Sequence, residues 1–221
     1  MSEIPSFDVA IIGAGVVGSA IAMRLASSPH PLDLIVIEAG PRVGEGITSR
    51  NSGVIHAGIY YPPGSLKAET CIHGKNLLYK WLSKNSVPYK KTGKLIVATA
   101  PDQQEALHAL YKNALSSGAT GLKLITSDEV KKLEPNLPHA LEAIFSEETG
   151  IVDQYELTKS FYLDAEEKDC TFIFNQPVKK IEKSQSGYLI QTADEQIQTQ
   201  MIINCAGLAA DEIATLLGVE K

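Results

Sequence analysis

The first apolar segment, FDVAII over Phe7–Ile12, shows no polar alternation, and neither does LDLIVIE over Leu32–Glu38. Between them VVGSAIAMRLASS reads as a helix with Val17, Ile21 and Leu25 on one face. Continuous apolar strands flanking a helix predict a βαβ unit in a parallel sheet covered on both faces. From Gly40 to Pro63 the periodicity vanishes into Gly, Pro, Ser and Thr, which predicts irregular backbone. A helix follows with an imperfect stripe at Leu66, Cys71, Leu77, Leu78 and Trp81. Gly93–Thr99 then reads as a strand, and Pro101 suits a first helical position ahead of Leu107, Leu110 and Ala114.

Downstream, TSDE over Thr126–Glu129 and DQYE over Asp153–Glu156 both have the capping-box spacing that opens a helix. Pro135 stops the first of these helices, and Leu157 and Phe161 mark the second. Strands are predicted at Ala140–Ser146 and Thr171–Phe174, with a hairpin over Val178–Thr192 turning at Ser186-Gly187. The apolar strand QMIINCAG, Gln200–Gly207, precedes a helix carrying Ile213, Leu216 and Leu217. The alternation predicts α/β architecture with a section inserted between about Gly93 and Val152.

Gly13, Gly15 and Gly18 form G-x-G-x-x-G between the first strand and its helix. The spacing supplies a tight turn, a close backbone approach to a pyrophosphate and close helix–strand packing. The phosphates then meet a helix N-terminus, where free N–H groups and the dipole favour negative charge. Glu38 ends the second strand, placed to accept ribose hydroxyls and to repel a 2′-phosphate. Taken alone, the fingerprint does not separate NAD from FAD. The polar loop after Glu38 is too long for a simple connection and too rich in Val54, Ile55, Ile59, Tyr60 and Tyr61 for disorder. It is long enough to follow an extended ligand outward.

Composition narrows the classes. The chain has 221 residues, enough for one large or two small domains, with 44% hydrophobic and 21% charged residues, as in globular proteins. A net charge of −6 argues against nucleic acid as a partner. Cys71, Cys170 and Cys205 lack a CxxC pattern and suggest neither a disulfide framework nor a metal site, which fits a reducing compartment. No apolar run reaches the roughly 18 residues of a membrane helix. The acidic start MSEIPSFD does not read as a signal peptide, so a cytoplasmic address is expected, with peripheral contact at an inner membrane left open.

Together, GAGVVG, IEAG, TSRNSGVIHAGIYYPPGSLKAETCIHG, TGKLIVA, TGIVD and INCAGLAADEIA resemble the FAD-dependent oxidoreductases of the D-amino-acid-oxidase-like group. Within it, Arg50–Gly74 most resembles the L-2-hydroxyglutarate dehydrogenase/oxidase branch. The resemblance implies a Rossmann-like FAD-binding domain in two segments, 1–92 and 153–221, with an α+β substrate-domain segment at 93–152. It further implies that a C-terminal part of the family fold lies outside this chain, leaving apolar surface for self-association.

By the same resemblance, Gly13, Ala14, Gly15, Val16, Val17 and Gly18 would hold the FAD pyrophosphate, and Glu38 with Ala39 the adenosine ribose. Thr48, Ser49, Asn51, Ser52 and Gly53 would follow the pyrophosphate, ribityl chain and ring. Val178 would meet adenine through its backbone, and Ala206 and Gly207 would pass near the cofactor. His56 is the candidate base. Arg50, Lys67 and Tyr60 are candidates for holding a 2-hydroxy-acid substrate, against a bland role in packing or solvation. The electron acceptor, quinone or oxygen, is left open, as are an amino-acid or glycine substrate in place of the hydroxy acid and a non-catalytic, truncated remnant of the same fold.

Overall fold

The structure is a computed structural model and describes residues 4–219. In chain order its elements begin with β1 (Ser6–Ile12), α1 (Val16–Ala26), β2 (Leu34–Ile37), β3 (Val54–Ile55), α2 (Leu66–Lys84) and β4 (Tyr89–Lys90). Next come β5 (Lys94–Ala98), α3 (Pro101–Ser116), β6 (Leu122–Thr126), α4 (Ser127–Leu133), β7 (Glu142–Ser146) and β8 (Gly150–Val152). The chain continues through α5 (Gln154–Glu166), β9 (Thr171–Ile173), β10 (Lys180–Ser184), β11 (Gly187–Gln191), β12 (Gln196–Asn204) and α6 (Ala210–Leu216). Two compact units result: Met1–Asn51 with Gln154–Lys221, and Ser52–Asp153.

The first unit is built on a six-stranded sheet in the order β10-β11-β12-β1-β2-β9. β12, β1, β2 and β9 run parallel, with Val9 opposite both Met201 and Leu34. All four residues of β2 are buried. On one face Val9, Ile11, Leu34 and Val36 pack with Ala22 of α1 and Ala165 of α5. On the other, Ala10, Ile12, Ile35 and Ile37 pack with Ile190, Ile197 and Ile213. Burial on both faces is what the unbroken apolar runs require, because successive strand side chains point to opposite sides. The hairpin turns one residue earlier than expected: Ser184 pairs with Gly187, so Gln185 and Ser186 form the loop. Gly187 has φ +129° and backs onto the Thr199 carbonyl, where a Cβ would overlap.

The second unit holds two small antiparallel sheets, β5-β7-β6 and β3-β8-β4. Ala57, Ile59, Ala98, Leu107, Ala114 and Ile144 form part of its core. α3 starts with Pro101 in its first turn. Thr126 and Glu129 form a reciprocal capping box at the start of α4. α2 departs from the expected stripe: Leu66 and Leu77 are 75% and 53% exposed, and the buried positions are Ala68, Lys75 and Leu82. Lys75 is accommodated by Glu148 at 3.4 Å, a carboxylate that also meets Lys91 at 3.3 Å.

The chain enters this unit at Ser52 rather than near Gly93, where the sequence expectation placed the first boundary. The reason is pairing. Val54 and Ile55 bond to Ile151 and Gly150, and α2 is tied to the same turn through Lys75 and through Tyr79, whose hydroxyl donates to the Glu148 carbonyl at 2.9 Å. Among the described residues, no helix is long and apolar enough to cross a membrane.

Candidate functional site

In the first unit the glycine turn sits where β1, β2 and β12 end. Gly13 N–H donates to Ile37 O at 2.8 Å, and Cys205 N–H donates to Ile12 O at 2.8 Å. Gly13 has φ +105°, and a Cβ there would overlap the Cys205 carbonyl. A Cβ on Gly18 would overlap the Gly13 carbonyl, so β1 and α1 can approach this closely only through glycine. Gly15 is different: its missing side chain would meet only Thr48 Oγ1, at 3.3 Å.

No side chain caps Gly15, and the first turn of α1 carries no acidic residue. Two neighbouring donors are occupied internally. Ala14 N–H donates to Glu38 Oε2 at 2.7 Å, and Val16 N–H donates to Thr48 Oγ1 at 3.0 Å. A helix start with orphan N–H groups and no anionic side chain of its own can receive an anion. Glu38 also accepts from Gly40 N–H at 2.8 Å through its other oxygen. A carboxylate has about four acceptor positions, which leaves capacity for a ribose hydroxyl. Ala39 beside it is exposed.

The residues after Glu38 are held by their own backbone. Ser49 Oγ donates to Glu45 O at 2.9 Å and Gly46 O at 3.0 Å, and Asn51 Nδ2 donates to Thr48 O at 2.5 Å. Arg50 is exposed and, with Arg42, Glu45, Ser49 and Tyr155, lines a depression of about 450 Å³. Val178 packs beside the core of the second sheet face. Ala206 N–H donates to Asn204 Oδ1 at 3.2 Å, while Asn204 Nδ2 donates to Ala210 O at 2.7 Å. Gly207 follows with φ +59°. Asn204 is thus the residue that shapes this corner, and the sequence reading passed over it. The glycine turn, the uncapped helix start and Glu38 together fit a dinucleotide such as FAD.

In the second unit Ser52 is exposed, and buried Gly53, at φ +63°, accepts from Val152 N–H at 2.9 Å. His56 follows β3, its carbonyl accepting from Cys71 Sγ at 3.6 Å. His56, Tyr60, Lys94 and Thr149 help line a hollow of about 10 Å³, room for about one water. Although His56 is exposed overall, burial of part of the ring and then the Lys94 charge lower its pKa, favouring the neutral imidazole that can accept a proton. Burial also raises the Tyr60 phenol above its ordinary value. Lys67 Nζ lies 4.8 Å from the Tyr61 ring centroid, and Lys94 Nζ lies 5.7 Å from that of Tyr60. Lys94 escaped the sequence reading because it opens a strand far along the chain. Among the described residues, no group of three or more His, Cys, Asp or Glu side chains could hold a metal ion.

Comparison with known proteins follows the same lines. The family model described as DAO, FAD dependent oxidoreductase, matches residues 8–221. The mitochondrial L-2-hydroxyglutarate dehydrogenase of Caenorhabditis elegans is 39% identical over 221 residues, covering 98% of this chain and 51% of its own. The human mitochondrial enzyme of that name is 38% identical, with coverages of 96% and 48%. The chain therefore spans about half the length of the curated relatives it matches. Among solved structures, dithionite-reduced L-alpha-glycerophosphate oxidase from Mycoplasma pneumoniae with FAD bound superposes with a TM-score of 0.90. It is 29% identical and is matched over 96% of this chain and 57% of its own. Glycine oxidase from Geobacillus kaustophilus, at 20% identity and a TM-score of 0.87, shares the fold over 98% of this chain and 59% of its own.

Proposed function

Because the chain belongs to the DAO family of FAD-dependent oxidoreductases, we propose that it binds FAD and takes part in oxidising a 2-hydroxy acid, L-2-hydroxyglutarate foremost, to the 2-oxo acid. The observation that carries the cofactor half is the uncapped, glycine-lined start of α1 beside Glu38. The substrate half is supported by the curated relatives at 38–39% identity, which are named for L-2-hydroxyglutarate. The glycerophosphate oxidase also carries an alcohol substrate in its name, which favours a hydroxyl over an amine.

FAD, when bound, supplies a two-electron acceptor for the hydrogen on the carbon that bears the hydroxyl. The protein's own residues do the rest. The N–H groups of Gly15, Val17 and Gly18 would bind the diphosphate, Val16 N–H being taken by Thr48, and Glu38, with Ala39 beside it, would accept from ribose. Thr48, Ser49, Asn51, Val178, Ala206 and Gly207, all of the first unit, would line the remainder of the cofactor. A ring nitrogen of His56 takes the hydroxyl proton, a role suited to an imidazole whose pKa is held below its usual value. Lys67 and Tyr60, both of the second unit, would serve the substrate as charge and hydrogen-bond partners.

The test is anaerobic mixing of FAD-loaded protein with L-2-hydroxyglutarate, glycine or other amino acids. Loss of the flavin's visible absorbance with the hydroxy acid alone, accompanied by 2-oxoglutarate, is the expected result. Bleaching by glycine instead would move the assignment to amine oxidation. His56→Ala is expected to slow reduction by at least ~100-fold, and an unaltered rate would remove His56 as the base.

A further inference from the structure

We propose that Lys94 binds a carboxylate of an acidic substrate at the hollow beside His56. The backbone fixes where this side chain starts. Lys94 pairs with Ser146 across β5 and β7, and Gly93 N–H donates to Thr149 O at 2.9 Å. Gly93 has φ +70° and is closed in by Phe145, whose Cε2 would lie 2.6 Å from a Cβ there. The strand start therefore has little freedom. From it, Lys94 extends half-buried over the Tyr60 ring into the wall shared with His56 and Thr149.

Partial burial without a carboxylate is what sets Lys94 apart. Lys75 and Lys91 share Glu148, and Lys123 has Glu147. Among the described residues Lys94 has no such carboxylate, and the ring of Tyr60 is its recorded partner. A carboxylate would give it a charge-assisted hydrogen bond, shorter and about twice as strong as a neutral one. The hollow suits that end: about 10 Å³ takes one oxygen atom, and the other polar side chains in its wall are an imidazole, two phenols and a hydroxyl, none of them anionic. Burial and the Lys94 charge lower the proton affinity of His56, so an anion bound beside them should raise it again.

This assignment deepens the hydroxy-acid reading and rests on it for the identity of the substrate. Its test needs neither flavin nor turnover. Glutarate, a dicarboxylate without a reactive hydroxyl, is titrated into the protein while the His56 ring resonances are followed by NMR, with neutral glutaramide as control. Glutarate should shift those resonances and raise the His56 titration midpoint; glutaramide should do neither. Lys94→Gln should weaken glutarate binding by roughly tenfold or more, the size expected for one hydrogen bond to a charged group. Lys94→Arg should retain binding within about threefold, since it keeps the charge. Equal binding by wild type and Lys94→Gln, or a His56 signal indifferent to glutarate, would overturn the assignment. Bound glutarate together with a flavin that hydroxyglutarate never bleaches would instead remove the proposed reaction and leave Lys94 in place.

Discussion

In the first unit, β2 has every residue buried and the polar contacts of the glycine turn come mostly from backbone N–H groups. In the second, each residue of β5 except Ala98 keeps some exposure, and α2 buries a lysine against Glu148. Both are small α/β assemblies, yet one is held by shape and the other partly by charge. The first should therefore respond to added volume and the second to lost charge and to pH. The proposed binding chemistry would divide the same way: fixed dipoles of the main chain would serve a diphosphate, while side chains that titrate would serve a substrate acid and its proton.

The largest expected effect is in the shape-determined unit. In Gly18→Ala the new methyl group overlaps the Gly13 carbonyl, which belongs to the backbone and cannot swing aside. Denaturant unfolding should show a loss of about 3 kcal/mol or more, together with loss of FAD binding. Gly15→Ala meets only the Thr48 hydroxyl at 3.3 Å and should stay within about 1 kcal/mol of wild type. Equal stabilities for the two variants would break the contrast.

Next in size is Lys75→Met in the charge-dependent unit. It leaves Glu148 with Lys91 alone and should cost about 1–3 kcal/mol at neutral pH. Burial pushes the Glu148 carboxyl up, but Lys75 and Lys91 outweigh it and hold the group below its usual value. A carboxyl depressed in the folded state stabilises above its unfolded pKa, about 4.3, and loses that contribution as pH falls through the folded value. The gap between wild type and Lys75→Met should therefore narrow in unfolding curves taken near pH 3. A gap independent of pH would mean that Lys75 contributes through its stem alone.

The contrast also explains what could be read in advance. Strands buried on both faces leave an unbroken apolar signature, so β1 and β2 were legible from Phe7–Ile12 and Leu32–Glu38, whereas β12, less buried, was legible only over its second half, from Gln200 to Asn204. β6 was not: only Leu122 and Ile125 of its five residues are buried, so its sequence neither alternates cleanly nor stays apolar. The stripe assigned to α2 failed at Leu66 and Leu77 for a related reason. Lys75 takes a buried place because a carboxylate from a turn 73 residues downstream meets it, and no local pattern announces such a partner. The glycine fingerprint could be placed from its context, whereas the contribution of Lys94 depends on the pairing of β5 with β7 and on the turn that holds Thr149.

The smallest effect is local and sharpens the comparison from below. Thr126→Ala removes one half of the capping box on α4 and should lower stability by about 1 kcal/mol. That loss should vary little with pH near neutrality, unlike the Lys75 effect under acid conditions.

Equilibrium titration of the purified protein with FAD and, side by side, with FMN is the most direct test of the cradle on which the account depends. FAD should bind, and FMN, which lacks the adenosine half that Glu38 would engage, should bind at least about tenfold more weakly, a difference of about 1.4 kcal/mol. Equal affinities, or no binding of FAD, would contradict it.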